Sequence, residues 1–156
     1  MIEKNQINKI KEIVEEFFVK MTMPILGLDA DVSVEDEKNV VSVDVKSDEP
    51  QILIGQGGQT LFEIQRILRT ILNKKLGIAF YFNLDINSYK NKKTEYLKNL
   101  AKDLADQVSL NKEEKVLPSM SSYERRIVHA ELSKRTDVLT ESQGDGPDRH
   151  IVIKTK

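Results

Sequence analysis

The stretch Ile54-Gly-Gln-Gly-Gly-Gln-Thr-Leu61 decides the fold, because it places a glycine-rich loop between two helical patterns. Pro50 fits the first turn of a short helix through Ile54, and the glycines that follow interrupt that helix. A second, amphipathic helix is predicted over Gln59–Lys75. The loop therefore lies at a helix N-terminus, where unpaired N–H groups and the positive end of the helix dipole can bind a phosphate.

The glycine loop by itself leaves two interpretations open, a phosphate-binding loop and a tight turn between helices without a ligand. Gly55 and Gly58 lack a Cβ, so a nucleic-acid backbone could approach the main chain closely there. Two sharper nucleotide motifs do not match. A dinucleotide fingerprint needs a third glycine where Thr60 stands and a preceding strand, and a P-loop needs a Gly-Lys-Ser/Thr ending.

Outward from the loop, the patterns before residue 87 predict one α+β arrangement. Apolar residues at helical spacing predict a helix over residues 3–21, which Pro24 and Gly27 end. Alternation at residues 30–34 and 41–45, around a turn at Glu35–Asn39, predicts a β-hairpin with one buried face. Strict alternation over residues 78–86 predicts a further strand. The predicted order is α-β-β-α-α-β.

A second set of patterns follows the first, so a domain boundary is predicted near residue 88. No Gly/Ser-rich linker separates the two sets. A long helix is expected to begin at Asn87–Ser88, with Lys90 among the lysines on its solvated face. Ser121 and Glu124 form the capping-box pattern of a helix start. The predicted elements are helices at 88–108 and 121–134 and strands at 115–117, 138–142 and 150–154.

Composition narrows the functional classes. Of the 156 residues, 39% are apolar and 31% charged, which is typical of a folded globular protein. The absence of cysteine excludes disulfides and thiolate metal sites, and a cytoplasmic location is expected. Residues 1–60 contain 6 Lys/Arg and 12 Asp/Glu, whereas residues 61–156 contain 18 and 13. A polyanion is therefore expected to contact the later part of the chain.

Arg125 and His129 are candidate nucleic-acid contacts in that later part. They lie four residues apart on a predicted helix and so project from the same face. Arginine can pair with a phosphate through two N–H groups, and histidine can donate to a phosphate or stack on a base. For the pair alone, an ordinary solvated helix face is the simpler explanation.

The α-β-β-α-[G-x-x-G]-α-β order resembles the bacterial, type II form of the KH domain over residues 1–87. The resemblance implies a three-stranded sheet with helices on one face. It also implies that the loop clamps the backbone of about four single-stranded nucleotides. Many members carry Lys or Arg in the middle of the loop, where this chain has Gln56 and Gly57. The implied RNA-binding residues are Gly55, Gln56, Gly57, Gly58 and Gln59.

Residues 88–156 strongly resemble the R-three-H domain, a small α+β domain that binds single-stranded nucleic acid. The resemblance rests on Leu117-Pro, on Ser121-Ser-Tyr-Glu-Arg-Arg-Ile-Val-His129 and on Thr140-Glu-Ser-Gln-Gly-Asp-Gly-Pro-Asp-Arg149. It implies nucleic-acid contacts by Arg125, Arg126, His129 and Arg149.

A KH domain followed directly by an R-three-H domain resembles the Jag family of bacterial RNA-binding proteins, also called KhpB. The family implies single-stranded RNA as ligand, a role in post-transcriptional regulation or as an RNA chaperone, and a small KH-only protein as partner. A homodimer stays open. The further N-terminal Jag domain of many members is not expected in this chain.

Two other functional classes compete with RNA binding. An enzyme is disfavoured because the only histidines are His129 and His150 and no catalytic or metal-ligand spacing appears, so no catalytic residue, metal or cofactor is predicted. A protein-interaction adaptor whose KH part does not bind RNA fits the acidic first 60 residues and the uncharged loop.

Overall fold

The computed structural model describes residues 3–23, 25–35 and 38–156. The chain forms two compact units, Met1–Lys90 and Asn91–Lys156. Both units combine helices with a three-stranded sheet, so the α+β class predicted from the sequence is confirmed. The expected helix end at Pro24 and the expected turn at Glu35–Asn39 fall partly outside the described residues.

The first unit is a three-stranded mixed sheet packed against helices. β1 and β2 run antiparallel, and β3 joins β2 in parallel, which gives the strand order β1-β2-β3. The predicted α-β-β-α-α-β order of a type II KH domain is confirmed. The elements are α1 Lys4–Lys20, β1 Gly27–Glu35, β2 Lys38–Lys46, α2 Pro50–Ile54, α3 Gln59–Leu76 and β3 Tyr81–Ile86.

The core of this unit follows the two periodicities read from the sequence. Alternate residues of β2 and β3 are buried, because successive side chains of a strand point to opposite faces. One stripe of each long helix covers that face. The buried residues include Val41, Val43, Val45, Phe82, Leu84 and Ile86 from the sheet, Ile10, Val14 and Phe18 from α1, and Leu61, Ile64, Leu68 and Leu72 from α3.

The last strand of the first unit is shorter than predicted. Its parallel ladder begins with the pair Val40 and Tyr81, so residues 78–80 precede the strand. Ile78 and Phe80 still pack against the core, and Phe80 is 7% exposed. The alternation at 78–80 therefore reflects burial of apolar side chains without strand pairing.

The third long helix begins at Tyr89, directly after the predicted start at Asn87–Ser88. Asn87 and Ser88 both have left-handed backbone conformations, with φ of 48° and 57°. The Asn87 side chain exchanges two hydrogen bonds with the main chain of Ser47, and the Ser88 hydroxyl donates to Asp44 Oδ2 at 2.8 Å. These bonds stabilise a turn at Asn87–Ser88, where the sequence pattern predicts the first turn of the helix.

Lys90 is half-buried, and its predicted place on a solvated face is wrong. Its Nζ donates to Gln65 Oε1 at 2.9 Å and to Asn83 Oδ1 at 2.5 Å, and burial lowers its pKa. The partners come from α3 and β3, which helical spacing around Lys90 does not reveal.

The second unit packs two helices against an antiparallel sheet with strand order β4-β6-β5. Its core joins apolar residues of both helices to the central strand, among them Leu97, Ala101, Val128, Leu132, Ile151 and Ile153. The elements are α4 Tyr89–Asn111, β4 Lys115–Val116, α5 Ser122–Leu132, β5 Val138–Gln143 and β6 His150–Thr155.

Candidate nucleic-acid interface

The glycine loop joins α2 to α3 through a single 3₁₀ turn at Gln56–Gly58. Gly55, Gly57 and Gly58 all have positive φ, at 71°, 60° and 86°. Side chains rarely adopt these conformations, so the sharp turn depends on glycine. Gln56 and Gln59 are exposed beside them, which places every predicted loop residue on one short surface segment.

Gly55 and Gly58 are required by the packing of the protein itself, because a side chain at either position would crowd a neighbouring residue. A Cβ on Gly55 would lie 2.1 Å from Thr60 Oγ1, and a Cβ on Gly58 would lie 3.2 Å from Cε1 of Tyr89. A Cβ on Gly57 would meet nothing within 4 Å. The space that a Cβ would take at Gly55 and Gly58 is thus filled by the protein itself. Substitutions at these two positions would therefore disturb the fold as well as any ligand contact.

The electrostatics of the loop are mixed. The first turn of α3 is uncharged and begins after Gly58, which has no side chain to cap the N–H groups, so the helix dipole favours an anion there. The Gln59 amide, however, donates to Glu63 Oε1 at 3.2 Å. The other oxygen of this carboxylate accepts from Arg66 Nε at 3.0 Å, so its opposition to phosphate binding is partly offset. Ile52 and Phe62, next to the loop in sequence, are 52% and 58% exposed and offer apolar contacts to bases.

Arg125 is held in a defined position on α5, the helix that the predicted Ser121–Glu124 capping box opens. Its Nη1 donates to the carbonyl of Met120 at 2.7 Å, and its Nη2 donates to Ser122 Oγ at 3.1 Å. The guanidinium is therefore oriented before any ligand arrives, which reduces the side-chain entropy that binding would cost.

His129 lies one turn further along α5 and is partly buried. Its Nδ1 is 2.7 Å from Oγ1 of Thr140 on β5. Burial lowers the pKa of His129, and the positive charge of Arg125 lowers it further. At neutral pH the ring is therefore mainly uncharged, and its expected action at that pH is hydrogen bonding or stacking.

Arg149 directly precedes β6 and is hydrogen-bonded to β5 and to the segment before α5. Its Nε donates to Ser142 Oγ at 3.0 Å, and its carbonyl accepts from the N–H of Met120 at 3.1 Å. Met120 is thus bonded to both Arg149 and Arg125. We name Arg125, His129 and Arg149 the Arg–His cluster.

Arg126 is exposed about 100° around α5 from Arg125, on a neighbouring face. Hydrogen bonds through Met120 link two of the four predicted residues, Arg125 and Arg149, while His129 is close enough to Arg125 for the arginine charge to lower its pKa. Arg126, the fourth, follows Arg125 on α5.

Sequence reasoning did not assign a role to Met120, Thr140 or Ser142. The two-residue spacing of Thr140 and Ser142 on one strand face is the signal that could have found two of them.

The pKa of His129 should lie below the ordinary value of about 6.5 for histidine. Removing the neighbouring charge with Arg125→Gln should raise the pKa, because one of its two causes disappears. Removing an exposed charge beyond the end of α5 with Lys134→Gln is the control and should leave it unchanged. NMR titration of the His129 ring measures all three values, and an unchanged pKa in Arg125→Gln would contradict the coupling.

Within the described ranges, no group of three or more His, Asp and Glu side chains is placed to hold a metal ion. None of the helices in the described part of the chain is both long and apolar enough to span a membrane.

Two protein-family models match parts of the chain. The KH domain family model matches residues 9–120, which is more than half of the chain, and the R-three-H domain model matches residues 95–155. Neither is an enzyme family.

Curated relatives of the chain are bacterial and carry the name RNA-binding protein KhpB. The protein from Clostridium symbiosum is 36% identical over 96% of this chain and 66% of its own length. The one from Bacillus subtilis is 36% identical over 81% and 62%, and the one from Streptococcus pneumoniae serotype 2 is 27% identical over 89% and 42%. The chain spans about two thirds, or less, of the length of these relatives. The predicted resemblance to the KhpB family is confirmed, and the chain belongs to the KH domain family, with an R-three-H domain in its second half.

Proposed function

We propose that the protein binds single-stranded RNA through two surfaces and performs no catalysis itself. The proposed domains are a KH domain in residues 1–87 and an R-three-H domain in residues 88–156. The first surface is the loop Gly55–Gln59, and the second is the Arg–His cluster together with Arg126. The names of the bacterial relatives support an RNA ligand.

The observation that carries the proposal is the Arg–His cluster. Arg125 and Arg149 present fixed guanidinium groups, which suit phosphate, and His129 presents a mainly neutral ring beside them, which suits a base. A solvated helix face explains one exposed arginine. It does not explain why Met120 and Ser122 orient Arg125. Nor does it explain why His129, on the same helix face, is hydrogen-bonded to Thr140 of β5.

The loop is the weaker of the two proposed surfaces. Phosphate would bind there through main-chain N–H groups at the start of α3, without a lysine or arginine in the loop. This weakness makes the loop directly testable, because Gln56 is exposed and can be changed without disturbing the glycines.

The test of the proposed function is the affinity of the protein for single-stranded RNA as a function of salt. Gln56→Lys should tighten binding and steepen the slope of log affinity against log salt by about 0.7, because one more phosphate is neutralised. Gln107→Lys adds the same charge at an exposed position of α4 and should change both much less. Absence of saturable RNA binding by the unmodified protein would refute the proposal, and equal effects of the two lysines would remove the loop from it.

A second candidate is an adaptor that binds proteins through its KH part. It is favoured by the uncharged loop and by the acidic first 60 residues, which contain 12 Asp/Glu and 6 Lys/Arg. Capturing partners with and without nuclease treatment separates the two functions. Partners that bridge through RNA should be lost on treatment, whereas partners of an adaptor should be retained.

The proposal extends to the cellular setting by family resemblance. It comprises post-transcriptional regulation or RNA chaperoning in the bacterial cytoplasm, with a small KH-only protein or a second copy of this chain as protein partner. Size-exclusion chromatography with light scattering, with and without the KH-only protein, measures both associations.

A further inference from the structure

Two hydroxyl residues interrupt the apolar face of β5 that packs against the helices of the second unit. Val138 begins that face and is 3% exposed. Thr140 and Ser142 follow it at two-residue spacing and so lie on the same face. Their partners on β6 are Ile153 and Ile151, which belong to the buried core. Apolar side chains at these two positions would stabilise the core more, so the hydroxyl groups need another explanation.

Each hydroxyl is hydrogen-bonded to one member of the Arg–His cluster. Thr140 Oγ1 is 2.7 Å from Nδ1 of His129, and Ser142 Oγ accepts from Nε of Arg149 at 3.0 Å. Among the residues that the structure describes, neither hydroxyl has another hydrogen-bond partner. Nor do Nε2 of His129 and the two Nη groups of Arg149 have a partner among those residues, so these three nitrogen groups are available to a ligand.

The bond to Thr140 also indicates which ring nitrogen of His129 carries the proton. A neutral imidazole has one donor nitrogen and one acceptor nitrogen, whereas a hydroxyl can donate or accept. If the hydroxyl donates to Nδ1, both groups are satisfied and Nε2 carries the proton. If Nδ1 donates instead, the proton of the partly buried hydroxyl has no acceptor in the described ranges, which costs free energy. The first arrangement is therefore favoured, and it makes Nε2 a hydrogen-bond donor.

We propose that Thr140 and Ser142 are positioning residues for RNA binding. Thr140 holds the His129 ring as the tautomer with the proton on Nε2, so that Nε2 donates to an acceptor atom of the RNA. Ser142 holds Nε of Arg149, so that the two Nη groups pair with a phosphate. The proposal rests on the RNA-binding function proposed above, and it assigns the orientation of two of the RNA contacts to one face of β5.

The first measurement is the tautomer of His129 in the full chain, from NMR of the ring nitrogens at a pH above the pKa of this residue. In the unmodified protein we expect the proton on Nε2 and a bare Nδ1. Thr140→Val removes the hydroxyl and keeps a strand-favouring residue, so the signals should move toward a mixture of the two tautomers. Thr140→Ser keeps the hydroxyl and should keep the tautomer. A ring protonated at Nδ1 in the unmodified protein would overturn the proposal.

The second measurement is the affinity of the full chain for single-stranded RNA. Thr140→Val should weaken binding about tenfold, whereas Thr140→Ser should bind nearly as the unmodified protein does. Thr136→Val makes the same change at an exposed position before β5 and is the control. The loss should vanish when His129→Ala is already present, because Thr140 acts through that ring. Ser142→Ala should likewise weaken binding, and it should add nothing to Arg149→Ala.

The outcomes separate this positioning role from the proposed function. If Thr140→Val and Ser142→Ala bind RNA as the unmodified protein does while Gln56→Lys still tightens binding, the positioning role is overturned and the general function stands. An equal loss in Thr136→Val and Thr140→Val, or a loss from Thr140→Val that persists beside His129→Ala, also overturns it. An unmodified protein that binds no RNA overturns both. Thermal unfolding checks that each variant is folded, and the tautomer in the unmodified protein tests the role of Thr140 without any variant.

Discussion

The intact protein should bind a long single strand of RNA roughly 100-fold more tightly than a short one that reaches only one surface. The reason is that both surfaces belong to one chain, so a strand bound at the loop would make its second contact within the same complex and at a raised effective concentration. Such a gain would offset the uncharged loop and the net charge of −1. The measurement is affinity against oligonucleotide length at fixed salt, from about 4 nucleotides, the length that a KH domain clamps, upward.

The control for this length dependence uses the intact chain with one surface weakened. A cut at residue 87 is unsuitable, because Tyr89 and Lys90 belong to the first unit and contact Gly58 and Gln65. In Arg125→Ala the steep rise with length should disappear. Only the shallow increase that every longer RNA shows, from its larger number of binding positions, should remain. A steep rise that survives in Arg125→Ala, or its absence in the unmodified protein, would show that the surfaces do not act on one strand.

Arg125→Ala should weaken binding of RNA by about 1–3 kcal/mol, because a charge-assisted contact to phosphate is lost. Arg125→Lys should recover part of this loss, since a lysine supplies the charge without the two-pronged geometry. The measurement is a binding titration at a single stated salt concentration. Lys134→Ala removes an exposed charge beyond the end of α5 and should have little effect.

The structure also gives Arg125 a local role that must be measured separately. Its bonds to Met120 and Ser122 fix the chain before α5, so the alanine variant should lose about 1 kcal/mol of unfolding free energy as well. Chemical denaturation of each variant measures that loss. A folded Arg125→Ala protein with unchanged RNA affinity would contradict the role of this residue.

The fold could be predicted wherever burial and regular structure coincide. Period-two alternation located β1 and β2, and helical spacing with glycine and proline signals located α1, α2 and α3. The predictions were wrong where tertiary contacts decide. The alternation at Ile78 and Phe80 reflects packing without strand pairing, and the turn at Asn87 depends on Ser47, forty residues earlier.

The candidate site could be predicted in part for a similar reason. The spacing of Arg125 and His129 fixes their shared helix face, so their proximity follows from the sequence. Thr140, the partner of His129, lies on β5, so this contact depends on how β5 packs beside α5. Met120, the partner of Arg125, lies five residues earlier, but its carbonyl carries no signal in the side-chain pattern. The lowered pKa of His129 could not be predicted either, because it depends on burial by that packing. The need for glycine at position 58 depends on the ring of Tyr89, which the loop sequence does not reveal.

The central claim is that single-stranded RNA contacts both the loop and the Arg–His cluster. Ultraviolet crosslinking of the purified full chain to a long single-stranded RNA, followed by mass spectrometry of the linked peptides, tests it directly. We expect linked peptides that contain Gly55–Gln59 and linked peptides that contain His129 or Arg149, and we expect both sets to disappear when excess unlabelled single-stranded RNA competes. Crosslinks that avoid these two surfaces, or that persist under competition, would contradict the account.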